Sequence, residues 1–175
     1  MKYRAALAGT LLAMACGGDR LPPPARVGQQ GTPPDTKLMD ENRRFAQREE
    51  AEIGDWVRRH GGEMIATGTG LRYKLVRDVP GDTARPGQVA VVNYAAFLLN
   101  GDTAYTSAPG RPASFRIAHS DVESGLQEGI QHLSVGDSAV LVIPSALAFG
   151  LLGDREKIPM RSTVVYYIGL VALRK

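Results

Sequence analysis

A chain of 175 residues, 43% hydrophobic and 6% aromatic, holds enough apolar matter for one domain with appendages. Its formal net charge is +3, and Lys2 and Arg4 supply two of the 21 basic residues, so beyond residue 15 the balance is 19 basic against 18 acidic. That balance argues against a nucleic-acid binder, and a single cysteine excludes an internal disulfide, a cysteine metal cluster or a redox pair.

Lys2 and Arg4 precede an apolar run from Ala5 to Ala15. Eleven residues are too few to span a bilayer as a helix but suit the core of an export signal. Ala13-Met14-Ala15 has the A-x-A form of a cleavage site, and Cys16 follows it. Segment 1–15 resembles a bacterial lipoprotein signal, although Ala13 stands where that pattern prefers leucine. The resemblance implies a lipidated Cys16 at the mature N-terminus. It also implies an exported protein anchored in the bacterial envelope, at the outer membrane or facing the periplasm. Ordinary secretion with an incidental cysteine, or a cytoplasmic protein with an apolar start, are the other readings.

Residues 16–38 contain Leu21-Pro22-Pro23-Pro24, Gly28-Gln29-Gln30-Gly31 and Pro33-Pro34 and have little to bury. They read as a disordered tether. Residues 39–62 are rich in Glu, Arg, Ala and Gln and read as a helix, with Phe45, Ile53, Trp56 and Val57 as a sparse apolar stripe and Gly61-Gly62 as its stop. Such a helix either docks on its own domain, leaving a monomer, or serves as a dimerising or client-binding arm.

From residue 70 the pattern changes to strands. Leu71, Tyr73 and Leu75 alternate with Arg72 and Lys74. Val89–Leu99 is a long apolar strand that closes at the Asn100-Gly101 turn. Tyr105, Phe115 and Ile117 belong to a returning strand interrupted at residues 108–112. Val122, Leu126, Ile130 and Leu133 recur at helical spacing, with Asp121 as N-cap. Ser134-Val135-Gly136-Asp137-Ser138 turns the chain into a buried strand, Ala139–Ile143, ended by Pro144; Thr163–Leu173 closes the domain. Many strands and one core helix without βαβ spacing predict an α+β antiparallel sheet over residues 70–175.

Covalent chemistry finds little footing. His60, His119 and His132 share no metal-ligand spacing, and neither a phosphate loop nor a Gly-x-Ser-x-Gly elbow is present. No cofactor is expected.

The succession Gly125-Leu126-Gln127-Glu128-Gly129, Val135-Gly136-Asp137, Ile143-Pro144, Ala148-Phe149-Gly150, Ile158-Pro159 and Thr163-Val164-Val165-Tyr166 resembles an FKBP-type peptidyl-prolyl isomerase domain. Asn93-Tyr94 and Asn100-Gly101 extend the likeness upstream. It implies a bent antiparallel half-barrel wrapped around one short helix, here with an N-terminal helix added. It also implies isomerisation of X-Pro bonds in proline-containing polypeptides, which for an exported chain means a foldase.

Carried over position by position, the family pocket falls on Tyr94, Tyr105, Val122, Glu123, Leu126, Phe149, Ile158 and Tyr166. Plain core packing is the competing reading for Val122 and Ile158. Leu126 stands where most members have tryptophan, Ala113 where they have a wall phenylalanine, and Thr106 where they have aspartate. Phe149 replaces a tyrosine, Met160 a proline, and Glu123 an aliphatic residue where the family mainly uses the backbone N–H. Leu126 and Phe149 are also similar to lipoprotein members, some associated with gliding motility. Residues 151–157 would form a flap over the pocket. A non-catalytic binding or chaperone module on the same fold, or a structural envelope lipoprotein, are the alternatives.

Overall fold

The computed structural model describes residues 36–119 and 122–175. The signal segment 1–15, Cys16 and Asp121 lie outside them, as does the tether up to residue 35. No helix among the described residues is long and apolar enough to cross a membrane.

The N-terminal helix α1 spans Thr36–Trp56 and ends in a single π-type turn, Val57–Gly61. It therefore begins before residue 39, inside the span predicted as tether. The last helix-breaking residues of that span are Pro33 and Pro34, so nothing in Thr36-Lys37-Leu38 opposes a helix. Gly62, at φ +61°, donates its N–H to Val57 O at 3.0 Å and closes the helix.

Seven strands follow among the described residues: β1 Ile65–Ala66, β2 Arg72–Arg77, β3 Val89–Leu98, β4 Thr103–Thr106, β5 Ala113–Arg116, β6 Ser138–Ile143 and β7 Val164–Arg174. They pair antiparallel throughout, in the order β1-β2-β6-β7-β3-β4, with β5 also on β3. The returning strand beside β3 is thus two short strands, as the break at residues 108–112 requires. Register shifts at Leu75/Arg77, Val91/Val92 and Ala96/Phe97 bend the sheet.

On the concave face lies helix α2, Ser124–Ile130. It is shorter than the Val122–Leu133 periodicity predicts, because His132 and Leu133 turn back with bonds to Gly129 O and Ile130 O. The helix has Glu123 at its N-cap position, not Asp121, and that side chain makes no capping bond because its carboxylate is directed elsewhere. Alternation on β6 sends Ala139, Leu141 and Ile143 to this face, where they meet Leu126, Ile130, Leu71, Ile168 and Leu170. Gly125 and Gly129, one turn apart, allow α2 to press on β6. A Cβ at Gly129 would lie 2.5 Å from Leu141 Cδ1, and one at Gly125 would collide with Ile143 Cγ2.

The other half of the alternation, Val140 and Val142, faces outward beside Val165 of β7, and all three would be wet without a cover. Helix α1 supplies it: Ile53 and Trp56 bury against those three valines. Glu49 and Glu50 add polar anchors, to Ser145 and Thr163 and to Arg72. The apolar stripe of the N-terminal helix is spent on its own domain.

Candidate functional site

Helix α2, β3, β4, β7 and the segment after β6 enclose a cavity of about 290 Å³ on the concave side. Tyr94, Tyr105, Val122, Glu123, Leu126, Phe149 and Tyr166 all line it. Ala113, expected as a vacated wall position, lines it too. Val92, Ser114, Phe115 and Ile168 complete the lining and were not predicted there. The pairing of Val92 with Ala113 and of Val91 with Ser114, a register the sequence does not print, brings that wall together.

Ile158 differs. Its side chain is buried in the main core and does not line the cavity. The cause is local: its N–H is drawn to Asp154 Oδ1 at 2.8 Å, and the residue sits at the base of the flap.

Each aromatic is positioned by a different element. Tyr94 projects from mid-β3, with its N–H on Ser107 Oγ at 3.0 Å and its ring 5.8 Å from that of Tyr166, tilted by 45°. Leu126 forms an apolar floor from α2. Phe149 arrives on the 3-10 turn Ser145–Leu147, which Pro144 O holds through Leu147 N at 2.9 Å. Gln127, buried behind α2, binds Ala118 N at 2.8 Å and His119 O at 2.5 Å, fixing the approach to the helix.

Of the three tyrosines that line the cavity, two donate their hydroxyl to a carboxylate. Tyr166 Oη donates to Glu123 Oε1 at 2.9 Å. Burial, then the charge and hydrogen bond of Glu123, hold the Tyr166 phenol well above its ordinary value. Tyr105 Oη donates to Asp154 Oδ2 in a short bond, and Lys157 Nζ sits 5.0 Å from the Tyr105 ring centre. That bond, more than the lesser effects of burial and of the Asp154 and Glu156 charges, raises the Tyr105 phenol. Asp154 brings this carboxylate to Tyr105 from the flap.

Asp154 also builds the flap. Its Oδ1 accepts the N–H groups of Glu156, Lys157 and Ile158 at 2.9, 3.0 and 2.8 Å. Burial pulls its pKa upward, but the bonds from Tyr105 and the three amides outweigh it and bring the carboxyl down to about 2. Leu151 and Leu152, at the flap's outer edge, are 61% and 66% exposed. The sequence signal for these pairs was present in Tyr105, Asp154 and Glu123. Their meeting depends on loops that close from 43 and 49 residues away.

The histidines are scattered. His60 stacks on Trp56 and His132 on Tyr73. Among the described residues no group of three or more His, Cys, Asp and Glu is placed to hold a metal ion.

The comparisons agree with this geometry. A family model described as FKBP-type peptidyl-prolyl cis-trans isomerase matches residues 81–171. The FKBP-type peptidyl-prolyl cis-trans isomerase FkpA of Escherichia coli (strain K12) is 36% identical over 109 residues, 61% of this chain and 38% of that protein. A probable FkpA of Neisseria meningitidis serogroup B is 33% identical over 108 residues, 61% of this chain and 39% of that one. The crystal structure of FkpA from Escherichia coli superposes with a TM-score of 0.66 at 27% identity, covering 79% of this chain and 63% of that chain. The matched stretches make up less than two fifths of these two curated relatives. By fold, pocket position and family match, the chain belongs to the FKBP-type peptidyl-prolyl cis-trans isomerase family.

Proposed function

We propose that this chain is a peptidyl-prolyl cis-trans isomerase for exported polypeptides, held at a membrane through Cys16. The observation that carries the activity is the apolar cavity itself, about 290 Å³ and lined by Leu126 and by the neighbouring Tyr94 and Tyr166 rings. That is the lower edge of small-ligand clefts and leaves ample room for a prolyl ring.

The barrier to be lowered is ~18–20 kcal/mol, set by the partial double bond of the peptide. A planar X-Pro amide is strongly dipolar, and the twisted amide has lost resonance and much of that dipole. An apolar wall therefore costs the planar state more than the twisted one, which is differential binding of the transition state. Tyr94, Leu126, Phe149 and Tyr166 supply the wall. The backbone N–H of Glu123, at the mouth of α2, is the donor the family resemblance assigns to a client carbonyl. Among the described residues no hydrogen bond uses that N–H. Unaided X-Pro isomerisation takes tens of seconds or more, long enough to limit folding of a newly exported chain.

The leader-like segment and its cysteine support the membrane tether, with residues 16–35 as spacer. Radiolabelled fatty acid should enter the wild-type protein in cells and be lost in Cys16→Ser; label retained in that variant would rule the anchor out. A second reading, peptide binding without turnover, is favoured by Ala113 and Phe149, which withdraw a ring and a hydroxyl from the wall. Isomerisation of X-Pro peptides by the chain from Gly17 onward separates the two: binding with no acceleration leaves the module reading.

A further inference from the structure

Glu49 lies on the far side of the sheet from the cavity, on a helix outside the residues matched by the family model. It is buried, and its carboxylate accepts three hydrogen bonds. Oε1 takes the Ser145 N–H and the Thr163 hydroxyl, both at 2.7 Å, and Oε2 takes the Ser145 hydroxyl at 3.1 Å. A buried carboxylate so fully partnered is held in one geometry, because losing a partner leaves charge without compensation.

The two residues it joins are the ends of one segment. Ser145 opens the turn that carries Phe149 into the cavity, and Ser145 O accepts the Gly150 N–H at 2.8 Å. Thr163 leads into β7 and Tyr166. Between these two points run Phe149 and the flap. A third tie runs in parallel: Arg161 donates its N–H to Gly150 O at 2.9 Å and its guanidinium to Asn42 Oδ1 at 3.1 Å, over the Phe45 ring.

We propose that Glu49 is a positioning residue for the cavity: from α1 it fixes both ends of the segment 145–163 and so sets where Phe149 and the flap stand. The N-terminal helix is then part of the site's support and more than a cover for Val140, Val142 and Val165. This rests on the isomerase reading for its kinetic consequence, but its structural consequence is independent of that reading.

The test compares Glu49→Ala, Glu49→Gln and Glu50→Ala in the full chain. Glu50→Ala breaks a different polar anchor of α1, to Arg72, without touching the segment. Trp56, the only tryptophan and buried under α1, reports by its emission whether the helix stays docked. Glu49→Ala should lower kcat/KM for X-Pro peptides about tenfold, since ångström-scale misplacement of a site can cost up to ~100-fold. Exchange of the Gly150 amide should quicken by a similar factor while the β7 amides stay protected. Glu49→Gln keeps an acceptor for the Ser145 N–H and should recover most of the loss. Glu50→Ala should match wild type in both readouts.

A docked Glu49→Ala with wild-type kcat/KM and unchanged Gly150 exchange overturns the proposal, as does Glu50→Ala producing the same losses. If Glu49→Ala does not fold, Thr163→Val, which removes one tie, is judged by the same two readouts. A wild-type protein without isomerase activity refutes the proposed function, and Gly150 exchange then decides the role of Glu49 alone.

Discussion

Tyr166 and Glu123 are joined across the cavity by a 2.9 Å hydrogen bond from phenol to carboxylate. Each is costly in an apolar wall without the other, and the hydrogen bond satisfies both. Tyr166→Phe alone strands the Glu123 carboxylate and should cost ~1.5–3 kcal/mol, the range for a bond to a charged group. In a Glu123→Ile background the same change should be nearly neutral. Urea denaturation of the four proteins measures the coupling; additive losses would mean that the bond contributes nothing.

Asp154 gathers four donors, Tyr105 Oη and three flap amides. Asp154→Ala should free the flap, quicken amide exchange at residues 156–158 and raise KM more than it changes kcat. Tyr105→Phe removes one donor and should give a smaller effect in the same direction.

The same carboxylate sets a pH window. Its pKa falls from 3.8 unfolded to about 2 folded, so its contribution is complete above pH ~4 and lost as pH drops toward 2. Flap order followed by NMR should be constant from pH 7 to 4 and decay only below that. Loss between pH 6 and 5 would point to a different group.

Gly129 touches Leu141 where a Cβ would lie 2.5 Å away. Gly129→Ala should destabilise by ~1–3 kcal/mol, as overpacking does, despite alanine's better helix propensity. Thermal unfolding checks it, with Gly68→Ala, which meets nothing within 4 Å, as the neutral reference.

Much of this architecture is legible in the residues. Strand alternation and the Asn100-Gly101 turn give the sheet, and the colinear motifs give the family. Seven of the eight proposed pocket residues do meet in one cavity. What the sequence hides is long-range. Ile158 follows the motif yet packs inward, because Asp154 reels its backbone into the flap. Helix α1 starts early because nothing in Thr36-Lys37-Leu38 opposes a helix. Glu49 looks like one more surface charge in a Glu-rich helix, and only the docking of α1 across β6 and β7 shows that it is buried. The Phe115 and Ser114 wall depends on a register that periodicity does not print.

The most direct test of the central claim is kcat/KM for X-Pro peptides, wild type beside Tyr94→Ala. Tyr94 lies beside Tyr166 in the cavity lining, and its backbone N–H is held by Ser107, away from the flap and from α1. The wild type should accelerate isomerisation over buffer, and Tyr94→Ala should lose about tenfold or more, equivalent to ~1.4 kcal/mol or more of transition-state contact. A folded wild-type protein no faster than buffer, or a Tyr94→Ala variant as active as wild type, would contradict it.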